Sequence, residues 1–339
     1  MKYLSLFSGI GGFELGVQQA YEETKSNRTL GDRKLSTEKT DIQQELHKPN
    51  SSSELGNGWG KCPECIGYSE IDKYAVQVYE KHFNHKNYGD ITTITPNELP
   101  DFDLLVGGFP CQAFSIAGKR KGFEDTRGTL FFDIARILAE KKPRLVVLEN
   151  VKGLLSHDRG KTFQTILGVL TDLGYFIEWQ VLNSKNFGVP QNRERVFIIG
   201  YFGGQPRRKV FPITESGGET YIQQLNKPKH SNDRIYGTDG VSPTLNTAQG
   251  GNRQPFVTRQ PLRFLTRNQK NIEGNYSFIV DASQTSGIRQ DTRIRRLTPT
   301  ECERLQGFPD GWTEGLSDTQ RYKTLGNAVT VNVIEYIFR

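Results

Sequence analysis

The residues best suited to chemistry lie in two short stretches, Gly108-Phe109-Pro110-Cys111-Gln112 and Glu149-Asn150-Val151. Cys111 follows the apolar run Asp103-Leu104-Leu105-Val106, which reads as a buried strand ending in a tight turn at Gly107-Gly108. A cysteine just past the carboxyl end of such a strand stands where an open α/β sheet gathers its catalytic groups, and its thiolate is a nucleophile. Glu149 ends a second apolar run, Leu145-Val146-Val147-Leu148, where a carboxylate is uncommon without a task. With the two strands parallel and consecutive, thiol and carboxyl come within reach of one small ring. Lys119, Arg120 and Lys121, set between Gly118 and Gly122, add a mobile basic loop suited to phosphates.

To position these groups the chain must alternate strands and helices, and it does. Residues 2–7 read as a first strand, and residues 8–14 as a glycine-rich turn that opens a helix. Gly9, Gly11 and Gly12 let a ligand approach the backbone, although taken alone they serve a tight turn equally well. A dinucleotide fingerprint would need glycine at position 14, and Glu14 would face a pyrophosphate badly, so a nucleoside cofactor with a cationic or zwitterionic end fits better. Residues 66–70 read as the second strand, whose terminal Glu70 is placed for a ribose hydroxyl. A helix over 73–83 follows, then a third short strand end at 88–91 that sets Asp90 to meet the cofactor's base. Further helices are expected at 128–140 and 162–173, and further strands at 176–182 and 196–200. A helix returns at 301–305, and residues 325–329 read as opening a last one that runs to 338.

Two regions break the alternation. Residues 22–61 lose their apolar period and read as a mobile surface insertion, ending in Cys62-Pro63-Glu64-Cys65, a pair of thiols preferred over a metal site because two further ligands are missing. Residues 203–290 carry short β-like pieces and turns. The expected division is therefore a large domain over 1–202, a small one over 203–290, and a return to the large domain over 291–339. The 339 residues hold 44 Lys and Arg against 38 Asp and Glu, with pI near 9.0. Of these, 15 basic and 7 acidic residues lie between 205 and 300, so a polyanion-binding surface belongs to the C-terminal third. Four cysteines, no signal peptide and no long apolar run describe a reduced, soluble, cytoplasmic protein.

The motifs Phe7-Ser8-Gly9-Ile10-Gly11-Gly12, Gly108-Phe109-Pro110-Cys111-Gln112, Glu149-Asn150-Val151, Gln191-Asn192-Arg193-Glu194-Arg195 and Gly326-Asn327-Ala328-Val329, in this order, resemble those of the bacterial cytosine-C5 DNA methyltransferases of restriction-modification systems. The resemblance implies an α/β fold, a Rossmann-like S-adenosylmethionine-dependent sheet with helices on both faces, plus a small, mostly β target-recognition domain. It implies that Cys111 attacks cytosine C6, that Glu149, with a raised pKa, acts at N3, and that Arg195 and secondarily Arg193 hold the base. S-adenosylmethionine would be held by Phe7, Gly9, Gly11, Gly12, Glu70, Asp90, Ile91, Pro110, Leu130 and Asn327, with no metal. DNA would be met by Gln112, Ser115, Lys119, Arg234, Thr244 and Arg253. The partner implied is double-stranded DNA, bound by a monomer in the cytoplasm and at the nucleoid, with a cognate endonuclease acting on the same site without binding. An RNA cytosine methyltransferase with the same core, or a non-catalytic DNA-binding relative, are the competing readings. A nicotinamide oxidoreductase is disfavoured by Glu14.

Overall fold

The structure, a computed structural model, describes residues 1–37, 61–110, 130–204 and 295–339, with shorter pieces at 210–213, 222, 224–225, 234–237, 240–245 and 255–258. Its contacts divide the chain into two units. The first comprises Met1–Leu182, Glu194–Glu215 and Ala328–Arg339; the second comprises Asn183–Arg193 and Ser216–Asn327. The expected boundaries at 203 and 291 differ from this division. Residues 183–193 join the second unit through hydrogen bonds to residues 242–245, and the return to the first begins only at Ala328.

Unit 1 is built on a six-stranded sheet of order β2-β1-β3-β4-β7-β5. Its strands are β1 (Lys2–Leu6), β2 (Glu64–Ser69), β3 (Leu104–Gly108), β4 (Leu145–Val151), β5 (Tyr175–Asn183) and β7 (Glu194–Phe202). The pairs β2-β1, β1-β3 and β3-β4 are parallel, and β7 runs antiparallel to β4. Strands buried on both faces read as continuous apolar runs, which is why Leu104–Val106 and Leu145–Leu148 were legible as strands. On one face Leu4, Leu6, Leu105, Val146 and Leu148 pack with Ile134, Ile137 and Leu138 of α3 (Leu130–Lys141) and with Ile166 and Leu170 of α4 (Lys161–Asp172). The opposite face meets α1 (Gly12–Thr37), whose Glu14 lies against Ser5 and whose Phe13 ring approaches Gly108. The helix α7 (Val331–Phe338) packs on α1 at Gly16, where a Cβ would lie 2.6 Å from Cβ of Ile334.

Four expectations are corrected. The polar segment from residue 22 continues α1 as helix to Thr37, because its Glu, Lys and Arg residues are good helix formers even without an apolar stripe. Gly107 and Gly108 are not a turn but the last two residues of β3, paired with Leu148 and Glu149. No strand forms at 88–91: a single bridge joins Asn87 to Tyr68, after which Gly89 turns at φ +70° and Asp90 caps a 3-10 turn over Ile91–Thr93. Leu325–Asn327 close the helix α6 (Asp318–Asn327) rather than opening the last one, which begins at Val331. The helix α2 (Lys73–His82) forms as expected, with the Asp72 side chain accepting from the Tyr74 amide.

Unit 2 is described in part. It contains β6 (Gln191–Asn192) parallel to β9 (Ser242–Pro243), and a small sheet of β8 (Ile235–Gly237), β10 (Phe256–Thr258) and β11 (Arg295–Arg296). The helix α5 (Pro299–Leu305) starts with a capping box, Thr298 bonding the Glu301 amide and Glu301 reaching back to the Thr298 amide. Among the described residues no helix is long and apolar enough to cross a membrane.

Candidate active site

In unit 1, three loops meet at the carboxyl ends of β1 and β2. The turn after β1 carries left-handed backbone at Phe7 (φ +54°), Gly9 (+55°) and Gly11 (+88°). Such a conformation costs a non-glycine residue about 1–2 kcal/mol, so Phe7 is held there by its surroundings. A Cβ at Gly9 would meet nothing within 4 Å, leaving its backbone open to a ligand, whereas one at Gly11 would run into the Phe83 ring. Glu70 ties this turn to the next loop: the Gly9 amide donates to its Oε2 at 2.9 Å, and the Ile71 and Asp72 amides donate to its Oε1, both at 2.8 Å. The third loop is joined by Ser69 Oγ donating to the Gly89 carbonyl at 2.6 Å and by Asn87 Nδ2 donating to the Glu70 carbonyl at 3.3 Å. Asp90 follows on the exposed side, its Oδ1 accepting from the Thr92 amide. A carboxylate fixed by three amides beside an open glycine backbone is a donor and acceptor set that fits a ribose and a cationic centre. The Ile91 side chain, by contrast, is buried in the core, and Leu130 packs partly against the same core.

Glu14 lies beneath this cradle, fully buried, and the structure turns it away from any ligand. Its Oε1 accepts from the Tyr79 hydroxyl at 3.0 Å, and Oε2 has no well-directed partner among the described residues. Burial pushes its pKa up to about 7, with the Ser5 and Tyr79 hydroxyls pulling it partly back. Tyr79 also bonds His85 Nδ1 at 2.9 Å and stacks on Tyr68, and burial lowers the His85 pKa. Cys65 is pushed up to about 12 by burial, and Cys62 is exposed, so neither is an activated thiol.

At the ends of β3 and β4, Glu149 forms an ion pair with Arg195 of β7, Oε1 to Nε 2.9 Å. Because β4 and β7 are antiparallel, with Glu149 opposite Phe197 and Val151 opposite Arg195, the two side chains share one face of the sheet. Only 12% of the Glu149 side chain and 15% of that of Arg195 are exposed, so the pair is largely withdrawn from water. Gly108, opposite Glu149 on β3, makes room for the carboxylate: a Cβ there would lie 3.2 Å from Oε2. Asn150, also buried, donates from Nδ2 to the Phe109 carbonyl at 2.8 Å and accepts the Val151 amide, fixing the chain just before the exposed Pro110. The requirement for Gly108 and the pinning by Asn150 were missed in the sequence, though a buried-strand asparagine beside Glu149 was a signal. Cys111, Gln112, Ser115, Lys119 and Arg253 lie outside the described residues.

In unit 2, the Arg193 guanidinium is buried, with Nη1 donating to the Leu245 carbonyl at 3.4 Å and Nη2 to the Gly326 carbonyl at 3.2 Å. Its two terminal nitrogens thus bond backbone carbonyls of its own unit. Thr244 is exposed, and its hydroxyl donates to the Asn192 carbonyl at 2.7 Å. Arg234 is exposed just before β8, and Asn327 is exposed at the end of α6.

The family model described as C-5 cytosine-specific DNA methylase matches residues 54–339. The chain belongs to that family. Type II methyltransferase M.HpaII of Haemophilus parainfluenzae is 39% identical to the methylase over 368 residues, covering 98% of this chain and 87% of that protein. Type II methyltransferase M.HhaI of Haemophilus parahaemolyticus is 37% identical over 283 residues, 81% and 86% of the two chains. The fold matches the crystal structure of S. pombe Dnmt2 with a TM-score of 0.61, 16% identity and coverage of 99% and 96%. It also matches a putative DNA modification methyltransferase encoded within a prophage of E. coli, with a TM-score of 0.59, 17% identity and coverage of 100% and 97%. The methylase is a DNA cytosine-5 methyltransferase with a mixed α/β, mostly parallel central sheet.

Proposed function

We propose that the methylase adds covalently to a cytosine of duplex DNA, with Cys111 as nucleophile, Glu149 acting at N3 and Arg195 holding the base. The observation that carries this reading is the nearly dry Glu149–Arg195 pair, with Asn150 fixing the Phe109 carbonyl two residues before Cys111. Cytosine C5 is a poor nucleophile until C6 is attacked. Addition of Cys111 Sγ to C6, with a proton placed on N3 by Glu149, makes C5 enamine-like. Ring atoms are not reachable inside the base stack, so the cytosine is flipped out of the duplex. S-adenosylmethionine, when bound, supplies the methyl group, and the turn at residues 7–12 with Glu70 and Asp90 would hold it. Loss of the C5 proton and of Cys111 leaves 5-methylcytosine.

Site choice falls to unit 2, with Thr244, Arg234 and Arg253 meeting the duplex alongside Gln112, Ser115 and Lys119 of the cysteine loop. The setting is restriction-modification, since curated relatives are named type II methyltransferases. A cognate endonuclease would share the site without binding the methylase, which acts as a monomer in the cytoplasm. The test is bisulfite sequencing of plasmid DNA from cells expressing the chain or its Cys111→Ser variant. Methylated cytosines in one short motif, absent with the variant, are expected. Full methylation by Cys111→Ser would overturn the nucleophile assignment, and methylated RNA with unmethylated DNA would overturn the substrate.

A further inference from the structure

The segment Gln191-Asn192-Arg193 is bound to residues 242–245 more thoroughly than a two-residue strand pairing requires. Gln191 and Asn192 pair with Ser242 and Pro243, and the Ser242 amide donates to the Pro190 carbonyl at 2.7 Å. Thr244 Oγ1 donates to the Asn192 carbonyl at 2.7 Å. Both backbone polar groups of the buried Leu245 are then taken by side chains: its amide donates to Gln191 Oε1 at 3.2 Å, and its carbonyl accepts from Arg193 Nη1 at 3.4 Å. The far ends of the same side chains reach elsewhere in the unit. Gln191 Nε2 donates to the Leu305 carbonyl at 2.7 Å and Arg193 Nη2 to the Gly326 carbonyl at 3.2 Å.

Burying a guanidinium against neutral carbonyls is an expensive way to gain stability alone, and an apolar side chain would fill the space at less cost. What the guanidinium supplies is geometry, since its planar fork holds two carbonyls of distant segments at fixed separation. The unit boundary falls directly after Arg193, and Arg195, paired with Glu149, is two residues further along the chain. Arg195 thus serves the base, while Arg193 and Gln191 serve the recognition segment.

We propose that Gln191 and Arg193 are positioning residues that hold residues 242–245 in place for reading DNA, so that discrimination between sites depends on them more than methyl transfer does. This rests on the functional reading above, in which Thr244 meets the duplex. The experiment measures kcat, KM for a cognate duplex, and the ratio of cognate to single-mismatch methylation, for wild type, Arg193→Lys and Asn183→Ala. Lysine keeps the charge but loses the fork. Asn183, half-buried, accepts the Arg193 amide at Oδ1 and is a milder loosening of the same strand should Arg193→Lys fail to fold. Expected is a rise in KM and a fall in discrimination of about tenfold each for Arg193→Lys, with kcat reduced by less than about threefold, and a smaller change of the same kind for Asn183→Ala. A fall confined to kcat, with discrimination intact, would return Arg193 to the base and overturn the proposal. A wild type that methylates no fixed site would instead overturn the functional reading beneath it.

Discussion

Replacing Glu14 with glutamine should stabilise the methylase above pH 7. The carboxyl is fully buried, and its pKa of about 7 in the folded state stands above the ordinary 4.5. A carboxyl raised on folding binds its proton more tightly in the native than in the unfolded chain. Its stabilising effect is therefore complete below pH 4.5, falls as pH rises, and is lost above about pH 7. At about 1.4 kcal/mol per pH unit, that interval corresponds to about 3 kcal/mol of stability missing at pH 8. Glutamine keeps the volume and can still accept from the Tyr79 hydroxyl, while burying its amide N–H groups returns about 1 kcal/mol of the gain. The net expectation is a Glu14→Gln variant about 2 kcal/mol more stable than wild type at pH 8 and no more stable at pH 5. Urea unfolding followed by tryptophan fluorescence at a series of pH values measures this. His85, whose pKa burial lowers, gains stability as pH rises toward 6.5, and it cancels in the difference because both proteins carry it. A variant less stable than wild type by the same amount at pH 5 and pH 8 would refute the reasoning, since Glu14 would then be a satisfied carboxylate throughout.

Gly108→Ala places a methyl group 3.2 Å from Glu149 Oε2 while that carboxylate is held by Arg195. Steady-state methyl transfer should show kcat lowered by about tenfold with cofactor affinity little changed. Glu70→Ala removes the acceptor for three amides of two loops. Calorimetric titration should show S-adenosylmethionine bound at least about tenfold more weakly, with stability lowered by about 2 kcal/mol. Unaltered affinity would exclude Glu70 from the cofactor site.

The parts of the fold visible in the sequence were those that local composition decides. Leu145–Leu148 is apolar because both of its faces are covered, and α3 shows its helical period because one side packs on the sheet. The errors arose where a residue type has two uses. Glycine marks turns, but Gly107 and Gly108 are glycine because the Leu6 carbonyl and the Glu149 carboxylate crowd them, a tertiary fact. Gly326-Asn327 has the composition of a helix end and was read as a beginning. At the site, Glu149 and Arg195 were both identified, but their pairing depends on the antiparallel register of β4 and β7, which neither motif contains. Arg193 was grouped with Arg195 because they are close in sequence; Arg193 precedes β7 and its guanidinium bonds the Leu245 and Gly326 carbonyls, whereas Arg195 lies within β7 and pairs with Glu149.

The contact between Gly16 and Ile334 also sets an order of events during synthesis. The groove on α1 that accepts α7 is filled by residues more than three hundred positions downstream. At about 5–20 residues per second, α1 leaves the ribosome roughly 15–60 s before its partner exists. Unit 1 therefore cannot finish folding as a nascent amino-terminal piece, in contrast to the usual domain-by-domain course. During that interval Val17 and Ala20, buried in the finished protein, are available to chaperones. A chain that ends before Val331 lacks the helix that fills this groove.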